Sequence, residues 1–497
     1  MSSREPVSSV DTAWLRMDRP YNLMQIVGVM LFEGDLDFAR LRAGIERRML
    51  SFRRFRQTVI ADGSGFIWQD DANFSLDHHL HREVLPDPAG KAELQQFVAE
   101  LTSAPLNPAR PLWDFHLVDT SLGGQALVIR IHHCIADGIA LVGVILSLAD
   151  EAGAMHEPAA PSTSEDAATS DESDFWDAIW GPMSDVKSTS LRVASNLWGV
   201  YREAVQNPAR MLDYARIGSG IAGEIAKLAI MPDDSDTRFK GRLGTTKRVA
   251  WSVPIPLPQV KAVGSVLGCS VNDLLLSAAA GAFGGYLAER GDATDGVEIR
   301  AMVPVNMRRP QDAGKLGNRF GLVVLELPVG IENPLARLYA TRARMEQLKG
   351  SYQAALTLSI LGVVGMAPKL LQDQVLDLLS AKATAVMTNV PGPKDALYIA
   401  GAKMREPLFW VPQAGDIGIG VSILSYDDKV QFGLVADSNL VPDPQRIVER
   451  FAREFEKLVL LVLMEPWGRL RDPQAVEDAL NPGAPRKSPR RAVKRSS

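Results

Sequence analysis

The segment His-His-Cys-Ile-Ala-Asp-Gly at residues 132–138 holds the side chains that general base chemistry requires. Histidine suits proton removal near neutral pH, because its ordinary pKa is about 6.5. Neighbouring side chains at a strand end point in different directions, so either His132 or His133 can face an interior channel while the other packs or forms hydrogen bonds. Asp137 can hold the loop by hydrogen bonds or an ion pair, and Gly138 leaves room for a substrate. The pattern predicts one catalytic histidine with a supporting loop.

The histidine pair lies between a predicted strand and a predicted helix. Residues 126–131 form a short apolar run, interrupted only by Arg130, after the turn residues Gly123 and Gly124. Residues 139–149 form a long apolar run that is typical of a buried helix. Strand-to-helix connections often carry functional groups, so this position favours a functional role for the pair.

A second histidine pair serves as a comparison. His78 and His79 lie in a segment of charged residues, 77–83, and no Asp-Gly pair follows them at the same spacing. This composition predicts a solvated surface segment, and we assign it no chemistry.

Cys134 and Cys269 are the only cysteines. Two are too few for a disulfide framework, and their separation does not fit a metal site, so we expect a reducing compartment and no metal. Cys134 lies inside the histidine segment, beside His133 rather than opposite it. We predict that its side chain packs and does not act as a nucleophile.

Length and composition indicate a folded chain of more than one domain. With 497 residues the chain exceeds the size at which a single core keeps growing. Hydrophobic residues make up 46% and charged residues 23%, which excludes wholesale disorder. A net charge of −5 gives no general reason to expect nucleic acid, although residues 481–497 carry only positive charges.

The pattern divides the chain into four parts. Residues 1–150 form a first domain with the histidine segment. Residues 151–245 begin as a linker rich in Ala, Pro, Ser, Thr, Asp and Glu and continue as connecting helices. Residues 246–470 form a second domain, and residues 471–497 form a basic disordered tail. Strands and helices alternate in both domains.

Local signals place several elements of the second domain. Ser270 and Asp273 predict the capped start of a helix that runs to about Arg290. A strand is predicted at 297–305, and two more, at 421–425 and 430–435, form a hairpin. Asp443 and Pro444 start the last helix, whose core stripe includes Phe451.

Targeting signals are weak. The first eleven residues lack the basic start and apolar core of a secretory signal. The most apolar windows, such as residues 358–367, are shorter than the roughly 20 residues needed to span a bilayer. We expect a cytoplasmic protein and leave surface attachment open.

Further motifs carry a resemblance to a known family. They are Pro111-Leu112-Trp113, Asn272-Asp273, residues 304–308 with Gly317-Asn318, and Thr388-Asn389 followed by Val-Pro-Gly-Pro. With the His-His-x-x-x-Asp-Gly segment, this set resembles the bacterial wax ester synthase/diacylglycerol acyltransferase family of CoA-dependent acyltransferases. The resemblance covers most of residues 8–465, with the motifs in the family's order.

This resemblance implies a fold and an activity. The fold would be α/β (α+β), with two sandwich domains of the chloramphenicol-acetyltransferase type and a channel at their interface. His133 would be the general base, supported by His132, Asp137 and Gly138. The co-substrate would be acyl-CoA and the acceptor diacylglycerol or a fatty alcohol, with no bound cofactor and no metal. The product would be stored in lipid inclusions, so attachment to these or to the inner membrane is expected.

Alternatives remain open for the other candidate site residues. Asn272 or Asn389 could stabilise the oxyanion. The Asn272-Asp273 pair could shape the channel or equally be a helix cap, and residues 388–393 could be only a rigid turn. Pro111 and Trp113 are expected to pack at the wall of the channel.

One departure from the family pattern bears on substrate preference. Asn306 stands where many family members carry Ser, and the following residues 307–310 are basic.

Three rival functions fit parts of the pattern. A peptide-forming condensation domain would use the same histidine but needs carrier-protein partners. A lipid-inclusion protein without turnover would retain the fold, and the intact histidine segment argues against it. Acyl transfer to a small soluble alcohol stays open, because channel width is a tertiary property.

Overall fold

The computed structural model describes residues 4–63, 65–150, 231–306, 318, 320–348, 373, 377 and 379–464. The predicted linker, most of the predicted connecting helices, the basic loop 307–310 and the predicted tail 471–497 lie outside the described residues.

Strands and helices alternate along the described chain. The first part contains β1 (Glu5–Pro6), α1 (Ser9–Met17), β2 (Gln25–Glu33), α2 (Phe38–Arg47), β3 (Gln57–Asp62), β4 (Gly65–Asp70), β5 (Leu80–Val84), α3 (Lys91–Ser103), β6 (Trp113–Asp119), β7 (Ala126–His132) and α4 (Gly138–Ser147). The second contains β8 (Lys247–Trp251), β9 (Ile255–Pro256), α5 (Leu257–Leu267), α6 (Val271–Glu289), β10 (Ile299–Asn306), β11 (Phe320–Leu327), α7 (Pro334–Leu348), β12 (Ala385–Pro391), β13 (Tyr398–Ile399), β14 (Ala402–Trp410), β15 (Ile419–Tyr426), β16 (Lys429–Asp437) and α8 (Gln445–Met464).

Two large mixed sheets organise these elements. The first has the strand order β13-β14-β2-β7-β6-β5, and the second has the order β11-β10-β12-β15-β16-β8, with β9 paired to β16 at the edge. A small third sheet joins β1, β4 and β3. Each large sheet has its own apolar core, and a further cluster of β2, β8, β14, β16 and α3 side chains packs where the sheets meet. The α/β fold predicted from the sequence is confirmed.

One strand crosses from the second part of the chain into the first sheet. Ala402–Trp410 pairs antiparallel with Gln25–Glu33, with Leu408 opposite Val29. This strand lies inside the range 246–470 that was assigned to the second domain, so the sheets do not follow that division at every point. A local pattern identifies a strand but not its partner. The domain boundaries themselves stay a prediction.

The elements predicted around the motifs are confirmed. The strand before the histidines is Ala126–His132, and the helix after them is Gly138–Ser147. At the start of α6, the Asp273 N–H donates to Ser270 Oγ at 3.1 Å and the Ser270 N–H donates to Asp273 Oδ2 at 2.9 Å. This reciprocal capping box satisfies amide groups that the first helical turn leaves without partners. The hairpin is β15 and β16, and the stripe of α8 is buried.

The prediction of a solvated segment at the second histidine pair is right for His78 and wrong for His79. His78 is exposed, but His79 is buried. The ring of His79 stacks on Trp113 with 4.5 Å between centroids, and its Nδ1 hydrogen bonds to the Trp113 carbonyl at 2.7 Å. The aromatic partner comes from β6, which is distant in sequence, so the charged neighbours of His79 gave no sign of it.

Within the described part of the chain, no single helix combines the length and apolarity needed to cross a bilayer. Helices α5 and α6 are long and apolar enough only when they are taken together, and the angle between them is 98°.

A glycine on β2 is predicted to be necessary for packing of the crossing strand. A Cβ on Gly28 would lie 2.5 Å from ring carbons of Phe409 and 2.9 Å from Ile129 Cγ1. We expect Gly28→Ala to lower the free energy of unfolding in urea by about 1–3 kcal/mol, because the added methyl group overpacks the site. Gly44→Ala on α2 is the control: its Cβ meets nothing within 4 Å, so it should gain roughly 0.5–1 kcal/mol. Equal stability of Gly28→Ala and wild type would contradict the prediction.

Candidate active site

The two motif histidines have different surroundings. The His132 ring packs into the protein, where its Nδ1 accepts the Cys134 N–H at 3.1 Å and its Nε2 lies 3.4 Å from Asp18 Oδ2. The His133 ring instead lines a cavity and stacks on Trp14, with 4.2 Å between ring centroids. The backbone N–H of His133 donates to the Met24 carbonyl at 2.7 Å. The alternation expected at a strand end is present, with His133 on the cavity side.

The residues after the histidines begin helix α4. Asp137 is the N-cap, and its Oδ1 accepts the Ala140 N–H at 2.9 Å. Asp137 and Gly138 both line the cavity. A Cβ on Gly138 would come no closer than 3.8 Å to Val411, which is ordinary contact. Packing of the protein therefore does not require glycine here, in keeping with the predicted need for substrate space.

The cavity lies between the two large sheets and has a volume of about 410 Å³. Its wall is mainly apolar. The polar side chains among the described lining residues are His133, Asp137, Ser380, Thr388, Asn389 and Ser422. Alternation along β12 and β15 explains part of the wall, because Val386, Thr388, Ser422 and Leu424 line the cavity while Ala385, Met387 and Val421 pack against the helices of the second core.

Four of the residues predicted for the channel are not among its described lining residues. Asn272 lies one contact behind the wall, where its Oδ1 accepts the Asn389 Nδ2–H at 2.6 Å. Asp273 caps α6. Trp113 is buried, and its Nε1–H donates to the Phe55 carbonyl at 2.9 Å. Pro111 directly precedes the Leu112–Trp113 pair in this packed region. Of these four side chains, that of Asn272 therefore bonds directly to a lining residue.

Sequence reasoning missed three residues that surround the His133 ring. Trp14 on α1 stacks on it, and Phe320 at the start of β11 lies 5.4 Å from it between centroids. Asn318 contacts the backbone of His133, since the Asn318 Nδ2–H donates to the His133 carbonyl oxygen at 2.7 Å. Two of them had a readable signal. Ser8 and Asp11 have the spacing of a capped helix start before Trp14, and Asn318 belongs to the Gly317-Asn318 motif, to which no site role was assigned.

Burial controls the protonation of the site. Desolvation lowers the pKa of His133 to about 4, against the opposing effect of the Asp137 carboxylate. The ring is therefore neutral at pH 7 and able to accept a proton. Burial also raises the pKa of the Cys134 thiol well above its usual value, which disfavours a reactive thiolate. Among the described residues, no group of three His, Cys, Asp or Glu side chains is placed to hold a metal ion.

Two mixed sheets with helices, and a mainly apolar cavity between them that has a neutral imidazole on its wall, define a class of α/β proteins with a pocket suited to an apolar ligand. The sequence identifies the family within that class. It matches the wax ester synthase/diacylglycerol acyltransferase catalytic domain over residues 7–275 and the C-terminal domain of the same family over residues 316–459. The chain belongs to the wax ester synthase/diacylglycerol acyltransferase family and is an acyltransferase, as the motifs predicted.

Mycobacterial proteins are among its relatives. The Mycobacterium tuberculosis protein tgs1, which is named as a diacylglycerol O-acyltransferase, is 27% identical over 399 residues, which cover 79% of this chain and 81% of that protein. Another protein of the same organism, also named as a diacylglycerol O-acyltransferase, is 28% identical over 470 residues, which cover 91% of this chain and 98% of the relative.

Solved structures share the fold. The wax ester synthase/diacylglycerol acyltransferase from Marinobacter aquaeolei VT8 matches with a TM-score of 0.63 and 21% identity, over 92% of this chain and 99% of that one. The first condensation domain of the calcium-dependent antibiotic synthetase matches with a TM-score of 0.54 and 14% identity, over 92% and 95% of the two chains. The predicted two-domain fold of the chloramphenicol-acetyltransferase type is confirmed.

The buried His133 ring predicts a dependence of stability on pH. Its pKa is about 6.5 in the unfolded chain and about 4 in the folded protein, so the unfolded chain takes up the proton first as the pH falls. The stabilisation is complete above pH 6.5 and is lost between that value and pH 4. Relative to His133→Asn, wild type should lose about 1 kcal/mol by pH 5.5 and on the order of 3 kcal/mol by pH 4, as measured by urea unfolding. Parallel curves for the two proteins would refute the shift.

Proposed function

We propose that this enzyme transfers a long-chain acyl group from acyl-CoA to the hydroxyl group of diacylglycerol or a fatty alcohol. The products are triacylglycerol or a wax ester and free CoA. The observation that carries the proposal is the position of His133, whose neutral ring lines a cavity with a mainly apolar wall. Family membership supports the choice of acyl-CoA as donor and of a lipid alcohol as acceptor.

In the proposed mechanism His133 is a general base and then a general acid. The ring removes the proton of the acceptor hydroxyl as its oxygen attacks the thioester carbonyl. The C–S bond then breaks, and the imidazolium returns the proton to the CoA thiolate. No acyl-enzyme is needed, in keeping with the raised pKa of the buried Cys134 thiol. Asp137 favours the charged ring through its carboxylate, and His132 supports the turn from the other side.

An amide group is proposed to stabilise the oxyanion. Asn389 lines the cavity, and one of its two amide hydrogens is directed to Asn272 Oδ1. The second hydrogen is the candidate donor, and Asn272 would hold the amide in place. Such a donor contributes about 3 kcal/mol to transition-state stabilisation.

Attachment to a lipid surface is also part of the proposal. Helix α8 ends with the exposed apolar side chains Leu460, Leu463 and Met464. The tail at residues 481–497 carries only positive charges, and Arg and Lys attract anionic lipid surfaces at roughly 1 kcal/mol per charge.

The base assignment predicts different effects for the two histidines. With palmitoyl-CoA and either hexadecanol or diacylglycerol as acceptor, His133→Ala should lower the rate of CoA release by about 10²–10⁴-fold, because it removes the base. His132→Ala should retain measurable turnover. The ratio of wild-type rates for the two acceptors identifies the preferred one.

Two outcomes of this assay would count against the proposal. Full rate in His133→Ala would exclude the ring as base. An inactive wild type with both lipid acceptors, but active with a small soluble alcohol, would favour the rival acceptor class.

The oxyanion assignment predicts a graded effect. Asn389→Ala should lower kcat by about 10²–10³-fold, because the donor is lost. Asn272→Ala should lower kcat less, because it removes only the group that orients the donor. The measurement is steady-state CoA release under saturating acyl-CoA, and a larger effect of Asn272→Ala would reverse the assignment.

A further inference from the structure

Asn318 connects helix α1 to the turn that carries the proposed base. Its Nδ2 group donates to Asp11 Oδ1 at 2.7 Å and to the His133 carbonyl oxygen at 2.7 Å. All three residues are buried, and Asp11 precedes by three positions the Trp14 ring that stacks on His133. The amide thus joins two segments that contact the same imidazole.

These partners determine which way the amide points. A backbone carbonyl can only accept a hydrogen bond, so the NH₂ group of Asn318 must face the His133 oxygen. The Asp11 carboxylate accepts the second hydrogen. The carbonyl oxygen Oδ1 is therefore directed away from both acceptors.

Three buried polar atoms near this junction lack partners. None of His133 Nδ1, Asn318 Oδ1 and Trp14 Nε1 completes a hydrogen bond with any residue that the structure describes. A buried polar atom without a partner is costly, and such atoms call for an explanation. Burial lowers the pKa of His133, and the Asn318 side chain opposes this shift, in keeping with an amide close to the ring. Hydrogen bonds of catalytic groups are often long without substrate and shorten in the reacting complex.

We propose that Asn318 is a positioning residue for His133, whose Nδ1–H it accepts through Oδ1 while its NH₂ group holds the His133 carbonyl. The neutral ring then carries its hydrogen on Nδ1 and presents the Nε2 lone pair to the cavity. When Nε2 takes the proton of the acceptor hydroxyl, Oδ1 stabilises the resulting imidazolium. This inference rests on the proposed role of His133 as base.

The charged groups around the ring have opposite effects on the pKa of His133. The Asp137 carboxylate raises the pKa of His133, and His132 on β7 lowers it. Asp11 on α1 is held by Asn318, and burial raises the pKa of Asp11, with Arg54 opposing the shift. Asn318 is the neutral group among them, so it can fix the tautomer of His133 without adding a charge.

The arrangement depends on both matched parts of the chain. Asp11 and His133 belong to the catalytic-domain match at 7–275, whereas Asn318 belongs to the C-terminal match at 316–459. The proposed base is therefore correctly oriented only when the two parts are packed together.

The first test reads the tautomer directly and does not depend on activity. The full-length protein is labelled with ¹⁵N-histidine, and the His133 signals are assigned by their loss in His133→Asn. At pH 7 we expect the Nδ1–H tautomer in wild type and a change in the ring ¹⁵N shifts in Asn318→Ala. A wild-type ring in the Nε2–H form would overturn the inference, whether or not any variant folds.

The second test uses kinetics with a matched control. Gln125 is another buried amide, whose Nε2 donates to Asp119 Oδ1 at 2.7 Å and whose Oε1 accepts the Leu36 N–H at 2.9 Å. Gln125→Ala therefore removes a buried amide that joins distant segments, at the end of β7 opposite to the histidines. With palmitoyl-CoA and hexadecanol, Asn318→Ala should lower kcat about 10–100-fold while changing KM by less than about threefold. Gln125→Ala should leave kcat within about threefold and the His133 shifts unchanged.

The acid limb of the kcat profile gives a further readout. Loss of Asn318 Oδ1 removes a group that raises the pKa of His133, so the limb should move to lower pH in Asn318→Ala and stay in place in Gln125→Ala. Equal kcat losses in the two variants, with unchanged His133 shifts in both, would reduce Asn318 to a structural role. An inactive wild type with a His133 ring in the Nδ1–H form would instead contradict the proposed function and leave the role of Asn318 in orienting the ring supported.

Discussion

Removal of the His133 ring from water sets the properties of the site. Trp14 stacks on the ring, Phe320 lies beside it, and burial lowers its pKa to about 4, so it is neutral across the physiological range. The same burial makes the ring a weaker base. Groups that stabilise its charged form therefore matter more than they would at a surface, and both Asp137 and Asn318 raise its pKa. Burial of the ring therefore explains both its neutral state and the need for neighbouring groups that stabilise its charged form.

The ring is buried only because distant segments converge on one turn. The loop after α1 holds both histidines, since Asp18 lies beside His132 and the Met24 carbonyl accepts the His133 N–H. The crossing strand β14 extends the first sheet beside β2 and supplies Phe409 to the cavity wall, while β12 and β15 supply residues from the second sheet. The cavity is a property of the packed pair of sheets rather than of either one.

The shared fold alone does not select the reaction. A condensation domain and a wax ester synthase/diacylglycerol acyltransferase both superpose on this chain, at TM-scores of 0.54 and 0.63. Family membership comes from the sequence matches, and the proposed chemistry comes from a neutral histidine and a mainly apolar wall. The mainly apolar lining favours a lipid acceptor over a polar one.

The sequence by itself determined the features that depend on neighbouring residues. Apolar runs and capping residues predicted the strand and helix around the histidines and the reciprocal cap of Ser270 and Asp273, because these signals act within one turn or one strand. Tertiary structure decided the rest. Burial of His79, packing of Trp113 against Phe55, and convergence of Trp14 and Asn318 on His133 all depend on contacts between segments far apart in the chain. Such contacts leave no local pattern, since a side chain's partner across a sheet or an interface is set by packing of the whole protein.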